Sequence, residues 1–127
     1  MMEKYLLDTH IILWYFQGNE NLSSLSRKII ESESCFCSII SLWEIAIKQK
    51  LNKLDFSISI TYLEELCMES GLKIIPITSE ALELTKSLPF IHNDPFDRLL
   101  IAQAKNENMT LITKDNFIPK YDVKTIW

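Results

Sequence analysis

The sequence predicts a single α/β domain, a mostly parallel sheet of four to five strands with helices on both faces. Three observations carry this reading. Short apolar, β-branched runs alternate with longer segments of helical period, and such alternation implies βαβ units whose crossovers lay helices over a parallel sheet. Only 2 glycines and 4 prolines punctuate the chain, so most of its length lies in regular elements. Its 127 residues, 47% of them hydrophobic, supply one core and not two, which makes residues 1–127 one domain.

The first apolar run, residues 5–7, is short, stops at Asp8 and suits a buried strand. Residues 9–16 read as a helix closing near Gly18-Asn19, and residues 22–32 as a second helix. Residues 34–37 form a short strand on which Cys35 and Cys37 point the same way. Residues 39–51 form a helix apolar nearly all round, hence a buried one. The helix at residues 60–69 has Gly71 past its end as a stop signal. Residues 72–77 are rich in β-branched side chains and strand-like. Residues 79–88 follow as a helix with Glu83 and Lys86 outward, ended by Pro89. The clearest helix spans 94–108: Pro95 suits its first position, which makes Asp94 the N-cap and Asp97 the third helical residue. A buried strand at 110–113 and a last strand at 123–126 complete the chain.

Composition narrows the classes. No stretch reaches the eighteen or so apolar residues of a membrane span. The opening Met-Met-Glu-Lys-Tyr-Leu-Leu-Asp has an apolar run stopped at Asp8, unlike a secretory signal peptide, so a cytoplasmic protein is expected. Three cysteines, an odd number without C-x-x-C spacing, read as buried structural thiols. Net charge is −4, unpromising for phosphate binding, where a basic surface is the rule. Four of the 17 acids, however, are Asp8, Glu44, Asp97 and Asp115; without them acids and bases balance at 13 each. That balance permits a nucleic-acid substrate without suggesting one.

Those four acids are the candidate site. In open parallel sheets ligands bind beyond the carboxyl ends of the strands, where strand order reverses. Asp8 ends the first strand, Asp115 follows the 110–113 strand by two residues, and Glu44 and Asp97 lie early in helices. Each also has a plain structural explanation. Asp8 suits an N-cap, Ser41 to Glu44 matches a capping box with Lys48 four residues on, and Asp115 sits in turn composition. Glu44 fits its explanation least. Its neighbours are apolar, Lys48 is expected to reach solvent, and a buried carboxylate must be paired, protonated or bound to metal. Four converging carboxylates repel unless a cation sits among them, and oxygen-only ligation suits Mg²⁺ or Mn²⁺. The chemistry such a site supports is phosphodiester hydrolysis.

At this point four strings resemble a family: Tyr5-Leu-Leu-Asp8-Thr9-His10, Ser41-Leu-Trp-Glu44-Ile-Ala, His92-Asn-Asp-Pro-Phe-Asp97-Arg and Leu111-Ile-Thr-Lys-Asp115 are similar to the PIN-domain nucleases, and most to the VapC-type toxins of type II toxin–antitoxin systems. The resemblance implies a Mg²⁺-dependent ribonuclease, dimeric, kept silent by a co-expressed antitoxin. Asp8, Glu44, Asp97 and Asp115 would be its metal-holding quartet, with Thr9 and Thr113 as adjoining hydroxyls that orient a water or a ligand carboxylate. Many members carry a further carboxylate near the fourth acid; here Asn116 and Phe117 follow, so the resemblance assigns no ligand to a second metal.

Other residues carry weaker expectations. His92 is placed in the loop before the Asp94 helix, at the crevice rim, and His10 in packing. Arg98 is expected to contact phosphate or pair with an acid. Lys48, Lys50 and Lys53 could meet an RNA backbone or simply solvate a helix end. Trp14, Trp43 and Phe96 could stack bases, with burial in the core the expectation for all three. Apolar surface on the 39–51 and 60–67 helices exceeds what a small sheet covers, which predicts a homodimer. A receiver-type phosphoacceptor module fails on motif, because Asp8 stands alone at its strand end. A housekeeping PIN nuclease without antitoxin is the nearer alternative, and a degenerate non-catalytic module is opposed by the intact acids.

Overall fold

The computed structural model describes residues 3–127; Met1 and Met2, which begin the stretch read above against a signal peptide and the 1–127 domain, lie outside them. Five parallel strands, β1 (Lys4–Leu7), β2 (Ser34–Ser38), β3 (Lys73–Ile75), β4 (Thr110–Ile112) and β5 (Thr125–Ile126), form one sheet in the order β3-β2-β1-β4-β5. The chain builds outward from the central β1 to β3, then crosses back to place β4 on the other side of β1. Strand order therefore reverses between β1 and β4, and a crevice opens beyond their carboxyl ends.

Side-chain alternation divides the interior into two cores. Tyr5, Leu7, Cys35, Cys37 and Ile112 face helices α1 (Thr9–Gln17), α2 (Ser24–Ser32), α3 (Ile39–Lys50) and α4 (Ile60–Glu69). Leu6, Phe36 and Leu111 face α5 (Ser79–Thr85) and α6 (Pro95–Asn106) on the opposite side. Both faces are covered, as expected of an all-parallel sheet. The three cysteines are buried and free. No helix among the described residues is long and apolar enough to cross a membrane.

Boundaries shift where a tertiary partner or a cap intervenes. α2 starts at Ser24 and not at residue 22, because the Ser23 hydroxyl accepts the Ser26 N–H at 3.0 Å and caps it. α5 ends at Thr85, short of residue 88, and Lys86 and Ser87 close it in a turn. β3 stops before Pro76, which has no N–H to give a ladder. β4 and β5 are shorter than expected, and a single 3₁₀ turn, Ile118–Lys120, was not anticipated.

α3 corrects two expectations. Its N-cap is Ser38, whose hydroxyl accepts the Ile40 N–H at 3.1 Å; Ser41 lies inside the helix, so the Ser41–Glu44 capping box does not form. The helix is also buried on one side only. Ile39 and Trp43 are exposed, Trp43 by 60%, so Trp43 is not core.

Candidate active site

Asp8 follows Leu7, whose register partner is Ile112, so β1 and β4 deliver Asp8 and Thr113 side by side. The Thr113 hydroxyl donates to Asp8 Oδ2 at 2.8 Å. Asp8 occupies the N-cap position of α1 yet makes no side-chain cap bond, so capping does not account for it. Two residues on, the Asp115 N–H donates to Thr113 Oγ1 at 3.0 Å, while Asp115 Oδ1 accepts the N–H groups of Phe117 and Ile118 at 2.7 and 3.1 Å and opens the 3₁₀ turn. The turn explanation for Asp115 is thus correct for one oxygen. Oδ2 is left to face the crevice.

Asp94 and Asp97 divide as the sequence suggests. Asp94 Oδ1 accepts the N–H groups of Phe96 and Asp97 at 2.8 and 3.1 Å and is the N-cap of α6, with Pro95 behind it. Asp97, free of capping, joins Asp8 and Asp115 in lining one cavity of about 330 Å³, together with His10, Trp14, Lys114 and Asn116. Glu44 does not line it. It lies buried in α3, where Lys48 Nζ sits 2.8 Å from Oε2 and Oε1 has no hydrogen-bond partner among the described residues. Lys48 therefore pairs with Glu44 while its side chain stays partly exposed. The Thr9 hydroxyl, also buried, donates to Ser41 Oγ at 2.9 Å and ties α1 to α3.

Electrostatics mark the cluster as short of positive charge. Burial raises the Asp8 carboxyl above its ordinary range; the Thr113 hydrogen bond opposes this and the Glu44 charge adds to it. Burial, then the charges of Asp8, Asp94, Glu44 and Asp115, push Asp97 up to about 8. Desolvation and like charge both disfavour a second carboxylate in such a space. A divalent cation reverses that logic, so the donor set and the unpartnered Glu44 oxygen both fit a hard ion.

Sequence reading underrated His92. Its Nε2 lies 2.9 Å from Asp97 Oδ2 and 3.3 Å from Asp115 Oδ2, and one ligating atom from each of the three residues falls within 4.8 Å of the others. His92 Nδ1 accepts the Asp94 N–H at 3.2 Å, so the ring proton sits on Nε2 and faces the carboxylates.

Arg98 does not pair with an acid, one of its two expected roles. Nη1 donates to the Pro89 carbonyl at 2.9 Å, Nη2 to those of Thr85 and Leu88 at 3.0 and 3.2 Å, and the guanidinium stacks 4.5 Å from the Phe90 ring centroid. It clamps the end of α5 and the loop carrying His92, and makes no ion pair with an acid among the described residues. Tyr121 Oη accepts the His92 N–H at 2.7 Å and helps hold the same loop. His10 is exposed, its ring 5.9 Å from that of Trp14, and is not core packing.

A family model described as the PIN domain matches residues 5–124. Ribonuclease VapC22 of Mycobacterium tuberculosis is 29% identical over 118 residues, 90% of this chain and 88% of that protein. Among solved structures, VapBC2 from Rickettsia felis bound to a promoter DNA fragment superposes with a TM-score of 0.71 at 17% identity, covering 97% of each chain. DNA-bound VapBC from Salmonella typhimurium gives 0.67 at 16% identity, covering 98% of each.

Proposed function

This chain belongs to the PIN domain family, and from that premise we propose that it is a metal-dependent endoribonuclease, the toxin of a toxin–antitoxin pair. The observation that carries the proposal is the convergence of Asp8, Asp97 and Asp115 on one cavity at the strand-order reversal, with Glu44 buried behind them. The likeness to a VapC ribonuclease supports the RNA substrate, and the VapBC neighbours support a protein antitoxin. The same likeness favours the toxin over a housekeeping nuclease.

Asp8, Asp97 and Asp115 would hold Mg²⁺ or Mn²⁺, with Glu44 as the fourth acid. When bound, such an ion activates water and neutralises charge on the phosphate and the leaving oxygen. The chain supplies the positioning. Thr113 fixes one Asp8 oxygen, Lys48 fixes one Glu44 oxygen, and His92 Nε2–H bridges Asp97 to Asp115. Asp94 spends its carboxylate on the helix terminus and takes no part.

The protein acts in the cytoplasm, and the exposed Ile39, Trp43, Tyr62 and Met68 on α3 and α4 supply apolar surface for a homodimer. Purified protein is expected to cleave single-stranded RNA with Mg²⁺ or Mn²⁺ and to stop in EDTA; cleavage that persists in EDTA but vanishes in Asp8→Asn would exclude the metal mechanism. Expression without a partner is expected to arrest growth, and Glu44→Gln to relieve the arrest. Equal toxicity of the two would remove the toxin reading.

A further inference from the structure

The acidic cavity is flanked by aromatic–lysine pairs that the metal chemistry leaves unexplained. Lys114 Nζ lies 5.9 Å from the Trp14 ring centroid and 5.6 Å from that of Trp127, with Trp14 and Lys114 both lining the cavity. Beside His92, Lys120 Nζ lies 4.9 Å from the Phe117 ring, and that ring sits 5.9 Å from the ring of His92. Phe117 is 49% exposed, though hydrophobic, and its backbone N–H is held by Asp115 Oδ1 at 2.7 Å. Its backbone is therefore anchored to an acid of the site. Both lysines are exposed in a chain of net charge −4.

We propose that these two groups are nucleotide subsites beside the acidic cavity, where the Trp14 and Phe117 rings stack bases of the bound strand and Lys114 and Lys120 meet its backbone. The inference rests on the ribonuclease reading for the identity of the nucleic acid. A cavity near 330 Å³ is at the small end of ligand pockets, so the remainder of a bound strand must run across its rim. There, aromatic faces stack bases and lysines meet the backbone, the combination by which proteins hold single strands without reading sequence. In a duplex the bases are already stacked on one another and offer no free face to Trp14 or Phe117. The rim lysines also offset the repulsion that a polyanion meets at a carboxylate cluster.

The test is binding of a fluorescent eight-nucleotide unpaired RNA, and of the same sequence as a duplex, to full-length Asp8→Asn protein in Mg²⁺. Phe117→Leu, and Trp14→Leu where it folds, should weaken unpaired binding roughly 5- to 100-fold, the range of one lost stacking contact, and change duplex binding less than about twofold. Lys114→Gln and Lys120→Gln should each flatten the slope of log affinity against log salt by about 0.7. Phe117 is half exposed, so Phe117→Leu decides the matter even where Trp14→Leu does not fold. Unpaired binding within about twofold of the parent for Phe117→Leu, with unchanged salt slopes, overturns the subsites. Wild-type cleavage with Mg²⁺ is scored separately: cleavage without an effect of the rim variants sinks this inference alone, and rim effects without cleavage sink the ribonuclease reading alone.

Discussion

Replacing Asp97 by asparagine removes the carboxyl that burial and four acidic neighbours hold at about 8. In the unfolded chain this group ionises near 3.9. Between those values the folded protein carries one proton more than the unfolded one, so metal-free stability falls as pH rises, by up to about 1.4 kcal/mol per pH unit. From pH 5 to pH 7 this carboxyl alone costs up to about 2.7 kcal/mol. With an unfolding entropy of about 2.1 cal/mol/K per residue, that is up to roughly 10 °C in Tm for a chain of this length. Asp97→Asn lacks this part of the slope, so in EDTA it should melt above the wild type at pH 7, by a margin that shrinks at pH 5. Saturating Mn²⁺ closes that gap, since an ion at about 100 times its Kd adds about 2.7 kcal/mol to the wild type only. Asp94→Ala behaves differently. It loses the cap bonds to Phe96 and Asp97, worth about 1 kcal/mol or about 4 °C, and keeps its response to Mn²⁺. Melts at both pH values with EDTA or Mn²⁺, beside calorimetric titration, provide the assay. An Asp97→Asn variant that melts below wild type in EDTA at pH 7, or an Asp94→Ala variant that loses the Mn²⁺ response, would refute the reasoning.

Three further substitutions follow from the same contacts. Lys48→Met strands the buried Glu44 carboxylate and should cost about 2 kcal/mol, discounted because Lys48 is itself about a third exposed; adding Glu44→Gln should recover most of it in urea denaturation, and no recovery would mean the pair is not what Lys48 supplies. His92→Ala should lower Mn²⁺ affinity about 10- to 100-fold by titration, as loss of a hydrogen bond behind a ligand typically does; affinity within about twofold would leave the His92 bridge without a role. Arg98→Lys keeps the charge but cannot reach the Thr85, Leu88 and Pro89 carbonyls with one planar fork. It should lower stability by about 2 kcal/mol, and an unchanged denaturation midpoint would contradict the clamp.

Local rules carried the positions of the acids and failed on their surroundings. Asp8 was legible because an apolar run stops there, and Asp94 and Asp97 were separable because Pro95 fixes where α6 begins. The two-sided sheet was legible in the alternation of strands and helices. What sequence spacing cannot encode is reach across the fold. Arg98 finds its carbonyls at the end of α5 and in the loop that follows, so backbone oxygens and not an acidic side chain are its partners. Lys48 looked solvated at a polar helix end, but a buried carboxylate one turn earlier gave it a stronger partner. Trp43 looked buried because its neighbours are apolar; α3 has one face too many for the sheet to cover. His92 was placed at the crevice rim, but spacing alone does not show that its ring reaches both Asp97, early in α6, and Asp115, past β4.

The central claim is that Asp8, Asp97 and Asp115 bind a divalent cation as one site. Anomalous diffraction from Mn²⁺-soaked crystals tests it most directly. The account predicts an anomalous peak within the cavity those three carboxylates line, absent from Asp97→Asn crystals soaked alongside. A peak confined to other surface carboxylates, or no peak at millimolar Mn²⁺ in well-diffracting crystals, would contradict it.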